Sequence, residues 1–148
     1  MTTIGSKLPT AARIFMGAVF LVFGLNGFLQ FLPTPPMPPA AGAFIGALLA
    51  SGYMFPLIKG TEVVVGVLLL SGRFVPLALT VIAPILVNIV AFHVAFAPAG
   101  LGIPVGLLAA EIYLAWSHRA AFAPLLRAKA TPGTERTIAT HRGLAAAS

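Results

Sequence analysis

Residues 74–96 read FVPLALTVIAPILVNIVAFHVAF, 23 residues without one Asp, Glu, Lys or Arg. As an α-helix this run would extend about 34 Å at ~1.5 Å per residue, enough to cross ~30 Å of hydrocarbon. Three further apolar runs flank it: Ala11–Leu32, Met54–Leu70 and Leu101–Trp116. Each approaches the ~20 residues that a spanning helix needs. The sequence therefore predicts an all-α membrane protein, a four-transmembrane-helix bundle with spans at about 11–32, 54–70, 74–96 and 101–116. Pro56, Pro76 and Pro104 fall in the first turns of three of these runs, where a missing N–H costs little. Pro84 lies inside the third and predicts a kink, with the Thr80 carbonyl left without its usual partner.

Composition agrees with that reading. Of 148 residues, 59% are hydrophobic and 8% charged, where a soluble domain would carry about a quarter charged residues. The length allows one compact unit, a membrane domain over residues 1–118, followed by a basic cytoplasmic tail over 119–148 whose last dozen residues are expected to be disordered. There is no cysteine, which excludes disulfides, thiolate metal sites and a thiol–disulfide relay within this chain. The net charge of +6 does not indicate nucleic acid, because the cations stand at the ends of apolar runs and in the tail rather than along a stripe. The first run is too long for the core of a signal peptide. Ala41-Gly42-Ala43 mimics a cleavage site, but the charge pattern requires the span before it, so the chain is expected to stay uncleaved.

Orientation follows from the same cations. Lys7 and Arg13 accompany the start of the first span, Arg73 separates the second and third, and Arg119, Arg127, Lys129, Arg136 and Arg142 follow the fourth. The connections Pro33–Tyr53 and Ala97–Gly100 hold no Lys or Arg. Positive-inside sorting then places both termini in the cytoplasm and the chain in a bacterial cytoplasmic (inner) membrane. The longer outer connection begins with Pro33, Pro35, Pro36, Pro38 and Pro39, a stiff extended run. It leads into Ala40–Ala50, too short to span and predicted to be an interfacial helix between spans one and two. A cover over the bundle end and a docking surface are the two roles open to it.

Polar residues inside spans are costly and mark function or register. They are Asn26 and Gln30, Lys59 and Glu62, Asn88, and Glu111, distributed over all four spans. Counted from the outer ends at ~1.5 Å per residue, Asn26, Lys59, Asn88, Glu62 and Glu111 fall roughly 7–14 Å deep. That depth agreement predicts one inward-facing polar layer. Lys59 and Glu62 are three apart and share a helix face, as do Asn26 with Gln30 and Pro84 with Asn88. Two carboxylates against one ammonium leave one negative charge for a proton, Arg13 or a cation to balance. A structural network that fixes helix register would use the same residues.

His93 stands near the outer end of the third span, about 140° around the helix from Asn88 at ~100° per residue. Two roles are open to it: a hydrogen bond to a neighbour, or a single axial ligand to a haem or chlorophyll-type pigment. His118 and His141 lie on the opposite side, so a bis-histidine haem site within one chain is not expected. No phosphate loop, catalytic triad or zinc-ligand pair is present.

The residues Phe20-Leu21-Val22-Phe23-Gly24-Leu25-Asn26-Gly27-Phe28, preceded by Arg13 and followed by the proline-rich Leu32–Ala41, form an ordered series with later pieces. Those pieces are Lys59-Gly60-Thr61-Glu62-Val63-Val64-Val65-Gly66, Ser71-Gly72-Arg73-Phe74-Val75-Pro76, Ala83-Pro84-Ile85-Leu86-Val87-Asn88 and Glu111-Ile112-Tyr113-Leu114-Ala115-Trp116. In order and spacing, over roughly 12–119, the chain resembles the DoxX family of small bacterial membrane proteins. The resemblance implies a four-helix membrane bundle. It also implies association with redox enzymes, because some relatives are subunits of quinone-reducing sulfur-compound oxidoreductases and others accompany thiol-stress and superoxide-defence enzymes. It carries over no catalytic residue, and the absence of cysteine sets this chain apart from related bundles that use a cysteine pair.

The expected function is thus a membrane subunit of, or partner to, a quinone-linked redox complex, with lipid and other subunits as its surroundings; the sequence identifies no cofactor, and quinone is a candidate. The alternatives are a non-catalytic accessory or anchoring subunit, in which the polar layer only holds the bundle together, and a small transporter.

Overall fold

A computed structural model of the chain describes residues 4–33 and 36–128. The described residues are helical, without strands. Helix α1 spans Ile4–Leu29, α2 Pro39–Ala50, α3 Met54–Ser71, α4 Val75–Phe96 and α5 Gly102–Ser117, followed by a short α6 at Arg119–Phe122. Single 3-10 turns at Pro98–Gly100 and Ala123–Leu126 complete the order. Three helices are long and apolar enough to cross a membrane: α1 over Lys7–Leu29, α3 and α4. The two shorter apolar helices are α2 and α5. With 16 residues, α5 is about 24 Å long. The disorder expected at the end of the tail falls outside the described residues, as do Pro35 in the proline run and the cations Lys129, Arg136 and Arg142.

Helix α1 differs most from the predicted span of 11–32. It begins earlier because only Pro9 interrupts the hydrogen-bond ladder there, depriving the Gly5 carbonyl of one partner. It ends earlier because Gln30 turns left-handed at φ +50° and the Asn26 side-chain oxygen accepts the Leu32 N–H at 2.7 Å. Leu32 precedes Pro33, which disfavours a helical conformation at that position. The other predicted boundaries shift by a residue or so. Helix α4 continues through Pro84 as one helix.

The α3–α4 connection is tight. Gly72 closes α3 at φ +71°, the Arg73 N–H returns to the Leu68 carbonyl at 3.2 Å, and Phe74 follows at φ +55°. This C-cap arrangement satisfies carbonyls that the helix end leaves over. Arg13 of α1 also donates to the Leu69 and Leu70 carbonyls. Its guanidinium thus ties α1 to the end of α3 and does not reach inward to the polar layer.

Glycines set the closeness of α1 and α3. A Cβ on Gly66 would lie 2.6 Å from the Leu21 nitrogen, and one on Gly24 would lie 2.9 Å from the Val63 nitrogen. Small residues let membrane helices approach to backbone contact, where dispersion supplies the attraction. The core then fills from α1, α3, α4 and α5, with Phe20, Leu69, Ile82, Leu86 and Leu114 among its buried members.

The packing is uneven along the bundle. On α4 the buried positions run Val75, Ala78, Leu79, Ile82 and Leu86, and from Val87 to Phe96 no residue is buried. On α3 the buried residues begin only at Glu62. The bundle is solid near Arg73 and open near α2. Outward-facing Leu57, Val87 and Ile112 are each about 60% exposed (61%, 60% and 62%), a surface suited to lipid rather than water.

Candidate functional site: a roofed cavity beside an ion pair

The open half of the bundle holds a cavity of about 440 Å³ that is open on one side. Phe20 and Phe23 of α1 form one wall, and Phe55, Lys59 and Glu62 of α3 the next. Asn88, Phe92 and His93 of α4 face them, with Ile103 and Leu107 of α5 beside. Helix α2 forms the roof through Phe44, Ile45 and Leu48, while Leu49 points away. The predicted interfacial segment is therefore an ordered helix covering the bundle end.

Aromatic rings hold that roof to α4. Phe44 lies 5.5 Å from Phe92 and 5.8 Å from Phe96, centroid to centroid, and Phe92 and Phe96 are 5.8 Å apart. These separations fall in the range where ring pairs attract beyond simple area burial.

The charged wall is a close ion pair. Lys59 Nζ donates to Glu62 Oε2 at 2.8 Å and to Oε1 at 3.1 Å. Glu62 is 2% exposed, whereas 21% of the Lys59 side chain remains accessible. The three-residue spacing explains the pairing, because both side chains leave the same face of α3. The ammonium also stands 5.9 Å from the Phe55 ring centroid, a cation–π arrangement. Both carboxylate oxygens are thus occupied, and one ammonium hydrogen is left over.

The remaining predicted layer residues take separate places. The Asn26 side-chain oxygen caps the end of α1, accepting from the Leu32 N–H. Asn88 is exposed on α4 and borders both the cavity and a smaller hollow beside Phe44 and Phe96. Glu111 lies on the buried face of α5 with Pro104, Leu107 and Leu114. Among the described residues no hydrogen bond or ion pair links Asn26, Asn88 or Glu111 to Lys59 or Glu62. Depth predicted one connected layer; Asn88 shares the cavity with the ion pair and Glu111 is buried on the inward face of α5, while Asn26 is taken up by the end of α1.

The structure also brings His93 to the same cavity, although its rotation from Asn88 suggested another face. Its Nδ1 is 2.8 Å from the Ile89 carbonyl of its own helix, and its ring meets Phe92 edge-on at 5.3 Å. Gly100 packs against the opposite edge: a Cβ there would lie 3.0 Å from Cδ2 and 3.3 Å from Nε2. Sequence reasoning missed the cavity and its aromatic lining. The i, i+4 spacing of Phe92 and Phe96 was the available signal, but nothing local showed that Phe44 would meet them.

Comparison with protein-family models, with curated proteins and with solved structures finds no match for this chain.

Proposed function

We propose that this chain is a DoxX-like integral membrane subunit of, or partner to, a quinone-linked redox complex, and that the roofed cavity binds a quinone-type ring. The carrying observation is a largely apolar, aromatic-walled cavity of about 440 Å³ with an ion pair on one wall. Binding sites for small molecules are commonly concave and apolar, with a few placed polar groups. Here the rings would sandwich a flat ligand, and the free ammonium hydrogen of Lys59 would orient its oxygen.

In this proposal α5 is the fourth span. Its buried face packs into the bundle, and the short turn after α4 returns the chain antiparallel. The cation distribution then puts Arg73 and both termini on the cytoplasmic side of a bacterial inner membrane. The cavity and its α2 roof would face outward.

A non-catalytic accessory role is the second reading. It is favoured by Arg13 and Asn26, both of which serve helix ends. Purification of the full chain from its native membrane in mild detergent, with mass spectrometry of bound proteins and extracted lipids, separates the two. Co-purifying quinone together with redox subunits is the expected result. Redox subunits without quinone would favour the accessory role, and the absence of both quinone and redox subunits would overturn the proposal.

A further inference from the structure

His93 lines the cavity and has one ring nitrogen free to accept. A backbone carbonyl can only accept, so the 2.8 Å contact with the Ile89 oxygen places the imidazole hydrogen on Nδ1. In the neutral ring Nε2 then holds a lone pair. That nitrogen has no hydrogen-bond partner among the described residues, and both His93 and Gly100 beside it line the cavity.

Of the other polar groups on the wall, only Asn88 also offers a free acceptor, and it does so at a different level. Glu62 is covered and engaged at both oxygens by Lys59. Lys59 offers only a donor. Asn88 offers donors and an acceptor five residues before His93, about 7.5 Å along the helix axis. A ligand that carries only acceptors would satisfy Lys59 and Asn88 and leave His93 Nε2 dry. Buried acceptors without a donor are costly, so such a ligand is disfavoured.

We infer that the cavity selects an aromatic ligand bearing a hydroxyl group, a phenol or hydroquinone rather than a donor-free ring, and that His93 Nε2 accepts its O–H. This rests on the proposed ring-binding cavity and specifies which chemical form it holds. The phenyl rings supply stacking, Lys59 or Asn88 meets an oxygen at one edge of the ligand, and His93 meets the hydroxyl at another. Only binding is involved. His93 is therefore a specificity-determining residue.

The test measures equilibrium binding of three probes to the purified full chain in detergent. They are a decyl-substituted hydroquinone kept reduced, its dimethyl ether, and the corresponding quinone. Wild type is expected to bind the hydroquinone about tenfold more tightly than the ether or the quinone. His93→Phe should abolish that preference by weakening the hydroquinone alone, and His93→Gln, whose amide oxygen can accept, should restore part of it. Equal binding of hydroquinone and ether by wild type would overturn the inference while leaving the ring-binding cavity intact. Binding of none of the three would overturn the cavity's assignment as well. Should the His93 variants fail to fold, the comparison among probes on wild type decides alone.

Discussion

Gly27 of α1 faces the aliphatic stem of Lys59 so closely that a Cβ at position 27 would lie 2.4 Å from Lys59 Cγ and 2.6 Å from Cδ. The absence of a side chain on one helix therefore fixes the path of a charged side chain on the next. Gly27→Ala must displace that stem and draw Nζ away from Glu62. The expected loss is about 1–2 kcal/mol of stability, together with weakened retention of any cavity ligand. Thermal unfolding in detergent and ligand co-purification measure the two effects.

Gly66→Ala should be more damaging. Its Cβ would meet backbone, the Leu21 nitrogen at 2.6 Å and Cα at 2.9 Å, and backbone cannot rotate aside as a side chain can. About 3 kcal/mol is expected from forcing α1 and α3 apart. Gly60→Ala on the same helix meets nothing within 4 Å. It should be neutral or stabilising by up to about 1 kcal/mol. Equal effects of the two alanines would count against backbone contact between α1 and α3.

The ion pair makes single and double substitutions behave differently. Lys59→Met leaves the covered Glu62 carboxylate without its partner and should cost about 2–3 kcal/mol, less than for a fully buried pair because Lys59 is partly accessible. Lys59→Met combined with Glu62→Leu should return to within about 1 kcal/mol of wild type. Unfolding of all three proteins gives the coupling directly. If the pair orients a cavity ligand, the double variant should fold normally and lose that ligand.

Topology can be tested without any ligand. A reporter active only outside the cytoplasm should work when inserted at Ser51 or Ala99 and stay silent at Arg73 or after Arg127. An active fusion after Arg127 would contradict the proposed fourth crossing.

The helices were legible because each rests on a local quantity. Lengths of apolar sequence marked α3 and α4, first-turn prolines and breaking glycines marked their edges, and the apolar segment after the proline run marked α2. The end of α1 was less legible, since Asn26 reads as a member of a polar layer, while it also serves to stop a helix. The pre-proline position of Leu32 was the clue to the second. Lys59 and Glu62 were found because their pairing depends on spacing within one helix. Whether Asn88 and Glu111 bond to them depends on how helices rotate against one another, which spacing within one helix does not specify. The cavity was hidden for the same reason: a hollow is a relation among five helices, and no single segment carries it.

That hollow also divides the molecule mechanically. Near Arg73, interlocked side chains and the Arg13 clamp leave little slack, so opening there requires most of the bundle to come apart. Around residues 54–61 and 87–96, where no side chain is buried, helix backbones can bend or part with few contacts to break. Amide hydrogen exchange in detergent should report two regimes, slow over Val65–Leu69 and Ala78–Leu86 and faster over Val87–Phe96. One end would then act as a fixed block and the other as the more compliant part under the α2 roof, so that a bound ligand would strain the anchorage of the whole very little.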